Sequence, residues 1–574
     1  MSETGSLIEV VRANVIGDDE AVAGPFGLRR VTYADYTASG RSLAFIENFI
    51  REAVLPLYAN THTESSGTGL QTGRFREDAR RIIREAVGGT PSDHVVLFAG
   101  AGSTGAIAKL IDCLEIRLPA GLDDRYDLRA AIPVAARPVV FIGPYEHHSN
   151  ELPWRESLAD VVVIPEDHDG RIDLARLEAE LVAHADRSLK IGSFSAASNV
   201  TGVISDVRAI SILLHRHGAL SFWDFAAAAP YVAIEMGPFA QTPQGRETDP
   251  LAYKDAIFIS PHKFIGGPGT PGVLVARREL FRNRVPSVPG GGTVAYVNPT
   301  EHRYLSDIEQ REEGGTPAIV ESIRAGLVFA LKEAVGAETI RAREHSFIRR
   351  AIERWDRHPN IEILGSHSLD RLSIVSFVVR HPGPGGSRRY LHHNYVVALL
   401  NDLFGIQSRG GCSCAGPYGH RLLGIDLERS REFEREIGRG CEGIKPGWVR
   451  VNFNYFISES VFDFILGAVE LVASDGWRLL PHYRFEPSTG LWRHAGGTAE
   501  PPMSLRDVRF DDGGMTWPSH RRTAPESELA GYLTEARRLL ADPAPPALPP
   551  EAPVVDADFE TLRWFPLPAE AVAR

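Results

Sequence analysis

The chain has 574 residues, 43% of them apolar and 24% charged, with a formal net charge of -12, which is length enough for several cores and the composition of an ordinary globular protein. The acidic balance excludes a nucleic-acid binder that relies on a basic surface, since phosphate contacts need clustered Lys and Arg. No apolar run reaches the roughly 18 residues of a membrane span, and the N-terminus MSETGSLIEVVRANVIGDDE lacks the basic-then-apolar layout of a secretory signal, so a cytoplasmic protein without membrane attachment is expected.

Four cysteines are too few for a disulfide framework in so long a chain, so Cys113, Cys412, Cys414 and Cys441 are expected as thiols. Lysines are scarce: Lys109, Lys190, Lys254, Lys263, Lys332 and Lys445 are all there are.

From about residue 90 to 280 the sequence alternates short apolar runs with longer helical patterns: HVVLFA, RPVVFIG, DVVVIPE, LKIGSFSAAS, GALSFWDF, DAIFISP and GVLVARR. Nearly continuous apolar runs between helices predict α/β architecture, with a mainly parallel sheet covered on both faces. Ligands of such sheets sit beyond the carboxyl ends of the strands. The residues that follow these runs are Gly102, Glu146 and His147, Ser198 and Asn199, Asp224, and Ser260 to Lys263.

In FAGAGSTGAIAKL, Gly100, Gly102 and Gly105 match the G-x-G-x-x-G spacing of a dinucleotide site. That fingerprint also requires an acidic residue roughly 20 positions on, at the end of the second strand, and here the next strand ends about twice as far away. What remains is a helix N-terminus whose backbone N–H groups, with the hydroxyls of Ser103 and Thr104, suit one phosphate; a tight turn without a ligand has the same pattern. GPYEHHSNELPW supplies His147 and His148, either of which can stack on an aromatic ring or move protons. Asp224 ends a buried run, as a helix N-cap or as the partner of a protonated pyridine nitrogen. Lys263 precedes a glycine-rich turn, as an interior lysine paired to a carboxylate or as an amine poised to form a Schiff base.

The domain organisation expected is an N-terminal segment over 1–30, a large domain over 31–336, a small α+β domain over 337–478 and a C-terminal extension over 479–574 with a proline-rich linker at 543–553. The closing DADFETLRWFPLP is expected to dock back on the body. The CSC of residues 412–414 is a packed pair or a reactive one, and no companion cluster at zinc spacing accompanies it, so no metal is expected.

Taken together, DYTAS at Asp35, GSTGAI at Gly102, EHHSNELPW at Glu146, SNVTG at Ser198, WDFAAA at Trp223, SPHKFIGGPGTPGVLV at Ser260, GGTP at Gly314, SRGGCSCAGP at Ser408 and RVNFNYF at Arg450 resemble, in order and spacing, the class V aminotransferases of the fold type I pyridoxal phosphate group, most closely their cysteine desulfurase and selenocysteine lyase branch. The resemblance implies a large domain with a seven-stranded, mainly parallel sheet, a small α+β domain and pyridoxal 5'-phosphate as cofactor. It implies that Lys263 carries the cofactor, Asp224 faces the ring nitrogen and His147 stacks on the ring. Ser103, Thr104, Ser260 and His262 would hold the phosphate, with Asn199 near the phenolic oxygen. Thr316 would reach the phosphate of a neighbouring subunit, which makes a homodimer with shared active sites. Arg450, with Arg409, would bind the substrate carboxylate, and Cys414 would be the nucleophile that takes sulfur or selenium, leaving alanine. The remaining partner implied is a sulfur-acceptor protein. The chain departs from that branch at Ala227, where a glutamine is usual, and at Cys412 and Ser413, where two histidines are usual. A β-lyase, epimerase or aminotransferase in which Cys414 is a bystander, or a non-catalytic cofactor-binding partner in sulfur relay, are the alternatives.

Overall fold

The computed structural model describes residues 3–572 apart from 62, 64, 243–244, 384–387, 498–502, 547–552 and 554. The chain forms two compact units: Met1–Ile16, Tyr36–His345 and Ser366–Leu372 make the first, and Gly17–Asp35, Ser346–Gly365 and Ser373–Arg574 the second.

All seven apolar runs are strands of one sheet in the first unit: β1 (His94–Ala99), β2 (Val139–Ile142), β3 (Asp160–Val163), β4 (Lys190–Ser195), β5 (Leu220–Asp224), β6 (Ala256–Ile259) and β7 (Gly272–Arg277). Their order across the sheet is β1-β7-β6-β5-β4-β2-β3. Only β7 runs antiparallel to its neighbours β1 and β6; the remaining pairs are parallel. The carboxyl ends of β1, β4, β5 and β6 therefore share one edge of the sheet. Helix α1 (Gly102–Cys113) buries Ala106, Ile107, Leu110 and Ile111, the one-sided spacing of an amphipathic helix. These side chains join Val95, Leu97, Val140, Phe222, Phe258 and Leu274 in the core.

The expectation of cover on both faces holds at the centre and not at β3, where Val163 is 50% exposed. As the sheet's edge, β3 carries a charge instead: Asp160 pairs with Arg187 at 2.6 Å, which blunts an otherwise open ladder.

The second unit is built on an antiparallel sheet of β8 (Ile361–Ile363), β9 (Ile374–Pro382), β10 (Arg388–Tyr390), β11 (Arg409–Gly411) and β12 (Trp448–Asn452). In it β9 pairs with β8, β10 and β12, and β12 pairs with β11. Helices over His393–Phe404 and Glu459–Asp475 pack in the same unit. The closing aromatic segment does dock: Trp564 stacks on His392 and His393 at ring separations of 5.2 and 5.7 Å, its Nε1 donates to Ile444 O at 3.0 Å, and Phe565 is fully buried. Residues 547–552 of the proline-rich linker at 543–553 lie outside the described residues. Among the described residues no helix is long and apolar enough to cross a membrane.

Candidate active site

The turn from β1 into α1 is left-handed at Gly100 (φ 41°) and Gly102 (φ 56°), and it is crowded. A Cβ on Gly102 would lie 2.7 Å from His262 Cε1 and 2.8 Å from Ser260 Oγ, and one on Gly272, the first residue of β7, would lie 1.9 Å from Gly102 O. Glycine at 102 and 272 is what lets β7 and the loop after β6 close on the N-terminus of α1. There Ser103 N–H donates to Ser260 Oγ at 2.9 Å, and the hydroxyls of Thr104 and Ser149 lie 2.6 Å apart. Burial, reinforced by the Lys263 charge, pushes the His262 pKa down to about 4, so its imidazole is neutral at physiological pH and offers one N–H. The first turn of a helix, the Ser260 hydroxyl and a neutral imidazole meet beside Gly102, donor types that suit a phosphate group.

Asp224, at the end of β5, is 4% exposed. Burial raises its pKa, while the Ala226 N–H, the Lys263 charge and the Ser103 hydroxyl pull it back; the Ala226 bond is 2.8 Å long. No helix directly follows Asp224 among the described residues: it makes a local turn contact with Ala226 and also faces a cation. Lys263 is half-buried on the short turn Pro261–Lys263 that follows β6. His147 Nδ1 accepts the Ser149 N–H at 3.1 Å, which assigns the proton of the neutral ring to Nε2. His148 opens the next turn, His148–Asn150, and Asn199 lies buried in the loop after β4. Thr316 is exposed, and its hydroxyl accepts from Asn60 Nδ2 at 3.2 Å.

Arg409, Arg450, Cys412 and Cys414 belong to the second unit. Arg450, 3% exposed, sits in β12 with Arg409 directly opposite it on β11, and its Nη2 donates to Asp35 Oδ1 at 2.8 Å. Burial lowers its pKa against the opposing pull of Asp35, and a guanidinium stays charged through such a shift. Arg409 and Arg450 face each other across β11 and β12 with Asp35 against Arg450, and their planar forks suit a further carboxylate. Downstream, Ala415 N–H donates to Cys412 O at 3.1 Å with Ser413 at φ 52° and Cys414 at φ 57°. Cys412 is exposed and Cys414 half-buried, and all four cysteines are free thiols.

Two supports come to light only in the fold. Ser149 links Thr104 to His147, and Asp35 orients Arg450. The EHHSN and DYTAS stretches contain both, but a serine and an aspartate in loops carry no spacing signal. Glu146 is a brace: its carboxylate accepts from Gly143 N, Ser195 N, Ser195 Oγ and Asn150 Nδ2.

The aminotransferase class-V family model matches residues 32–426. Among curated proteins, a probable cysteine desulfurase of Halalkalibacterium halodurans is 28% identical over 282 residues, 48% of this chain and 62% of that protein. Probable cysteine desulfurase 2 of Mycobacterium leprae is 29% identical over 289 residues, 50% of this chain and 62% of its own. The matched region thus spans about 62% of the length of these relatives. Among solved structures, the apo cysteine desulfurase of Thermococcus onnurineus superposes with a TM-score of 0.60 at 24% identity, covering 77% of this chain and 94% of that one, a likeness of fold. With the family match running from the strand-forming residues before Asp35 to beyond the Cys412–Ala415 turn, the chain belongs to the aminotransferase class-V family.

Proposed function

We propose that the chain is a pyridoxal-phosphate-dependent enzyme that removes sulfur from L-cysteine, or selenium from selenocysteine, and leaves alanine. The relatives named as probable cysteine desulfurases support this reading. The observation that carries it is the pairing of a buried carboxylate, Asp224, with Lys263 beside a glycine-walled donor set.

These residues fit the cofactor. Gly102 keeps clear the space a Cβ would fill, Ser103, Thr104, Ser260 and His262 offer donors for its phosphate, and Asp224 supplies the buried charge that a protonated ring nitrogen requires. His147 provides a ring to stack on it, and Asn199 an amide for its phenolic oxygen. When bound, the cofactor withdraws electrons from the α-carbon of an attached amino acid. Lys263 would anchor the cofactor through Nζ, and its amine, when free, would take the substrate's α-proton. Arg450, with Arg409, holds the substrate carboxylate and thereby the orientation of its side chain. The Cys414 thiolate attacks the substrate's γ-sulfur: an S–S bond forms, the C–S bond breaks, and protonation of the carbon left behind gives alanine. Thr316, exposed on its loop, is free of the first unit's core and suits a contact across a homodimer, and a thiol-bearing acceptor protein is the onward partner.

The test adds pyridoxal phosphate and reads the visible absorption band, then follows alanine and sulfide from L-cysteine with a reductant. The band is expected in wild type and absent in Lys263→Ala, and sulfide is expected to collapse in Cys414→Ala. A protein that stays colourless overturns the cofactor. A coloured protein that yields no alanine from L-cysteine but shifts its spectrum with other amino acids moves the chemistry to a β-lyase, epimerase or aminotransferase.

A further inference from the structure

The hydrogen bond from Ala415 N–H to Cys412 O closes a four-residue turn whose two central residues, Ser413 and Cys414, both have left-handed backbone. That is a type I′ turn, which favours Asn and Gly at its centre. Side chains with a Cβ are held there against preference, and such strain collects at functional positions. The turn makes Cys412 its first residue and Cys414 its third, two peptide units apart along the chain.

Both thiols line one cavity of about 600 Å³ in the second unit, together with Arg409, His393, His420 and Lys445. His393 is 6% exposed, and its Nδ1 is buried with no hydrogen bond among the described residues. The wall carries the nitrogen groups of Arg409, His420 and Lys445 together with the carboxylates of Glu434 and Glu442, and Lys445 pairs with Glu442. The two cysteines differ in access: Cys412 is exposed and Cys414 half-buried.

We propose that Cys412 is the exit thiol of the site, taking the terminal sulfur from a Cys414 persulfide and presenting it at the surface. The inference rests on the desulfurase reading above. In the exchange the Cys412 thiolate attacks the outer sulfur of Cys414–S–SH, a new S–S bond forms on Cys412, the bond to Cys414 Sγ breaks, and its electron pair leaves on Cys414 as thiolate. The terminal sulfur carries its proton across, and no oxidant or reductant is consumed. The step moves the sulfur to the accessible side of the turn and returns Cys414 to the state that meets the next substrate.

The experiment mixes the holoenzyme with one equivalent of L-cysteine, quenches and alkylates at intervals, and locates the extra sulfur by tandem mass spectrometry of the peptide containing both cysteines. In wild type the persulfide is expected first on Cys414 and then on Cys412. In Cys412→Ser it stays on Cys414, and with excess L-cysteine alanine appears as a burst of a single equivalent while steady-state sulfide release with dithiothreitol slows roughly tenfold; the cofactor absorption band reports that the variant is folded. Alanine formation with no sulfur ever on Cys412, or a Cys412→Ser variant that turns over at the wild-type rate, overturns the relay and leaves the desulfurase reading standing. Sulfur on Cys412 in Cys414→Ser overturns the assigned order of the two thiols. Absence of alanine in wild type overturns the desulfurase reading and the relay together.

Discussion

A carboxylate removed from water has to be held by donors, and the four that hold Glu146 also fix the loop that presents His147. Burial still prevails, lifting its pKa from 4.5 to about 7 against the pull of Ser195 and Asn150. Between these values the folded chain keeps a proton that the unfolded chain has released. Stability therefore falls as pH rises through that window and levels off above it, a penalty of about 3 kcal/mol at neutral pH. Glu146→Gln removes the titration, so the stability of the variant relative to wild type is expected to improve by about that amount from pH about 4.5 to about 7.5; urea denaturation at the two pH values checks it, and a constant difference would refute it. Glu146→Ala instead strands buried N–H groups and is expected to cost about 2–4 kcal/mol. At Arg450 the fork matters as well as the charge: Arg450→Lys keeps a cation beside Asp35 but loses planar two-point contact, and KM for L-cysteine is expected to rise roughly tenfold or more with a smaller change in kcat. Candidate site residues of the first unit such as Asp224 and Lys263 stand out in the sequence because they lie at or just after the ends of buried strands. Glu146's brace and Asp35's hold on Arg450 do not, because each depends on partners far away in the chain, 49 positions for Ser195 and 415 for Arg450.

Strands as short as β2 and β6 were readable because a run of β-branched and aromatic residues bounded by turn formers leaves little else for the chain to do. The antiparallel direction of β7 was not readable, since apolar content carries no polarity; it follows from the short connection through Lys263 and the glycine-rich turn, which brings the chain straight back beside β6. The left-handed Ser413 and Cys414 were equally hidden, as neither residue type announces positive φ. The β1–α1 turn shows where local signal and tertiary constraint coincide: Gly102 was visible as spacing, and its reason is His262 and Ser260 on the far side. Gly102→Ala is expected to leave the sheet folded, with circular dichroism unchanged, while the added Cβ pushes His262 and Ser260 aside and weakens pyridoxal phosphate binding roughly tenfold or more in a spectrophotometric titration. Unchanged affinity would mean that the cradle is not where the cofactor's phosphate sits.

Neither compact unit is a continuous stretch of sequence, and this limits how the molecule can be divided. Residues Gly17–Asp35 belong to the second unit, where they are tied to elements hundreds of positions away. Arg29, 5% exposed, donates to Leu403 O and to Glu535, each at 2.7 Å, and Arg30 donates to Ala524 O at 2.7 Å. Thr32 and Tyr33 pair in parallel with Ile406 and Gln407, and Asn452 N–H, at the end of β12, donates to Ala34 O at 2.9 Å. Removing this segment takes Asp35 from the buried Arg450 and leaves the Leu403 and Ala524 carbonyls and a strand edge without their partners, each worth about 1–3 kcal/mol when left unsatisfied, against a total stability of only about 5–15 kcal/mol for an ordinary domain. A fragment comprising residues 346–574 is therefore expected to lack a cooperative thermal transition despite holding all of β8 to β12 and the docked Trp564–Phe565 cluster. Joining residues 17–35 to its N-terminus through a flexible linker is expected to restore that transition and to protect the fragment from limited proteolysis. If the shorter fragment melts as sharply as the longer one, residues 17–35 are an ornament on the second unit; if it does not, that unit can form only after the chain has already made its N-terminal contribution, and a boundary drawn along the sequence would cut through its fold.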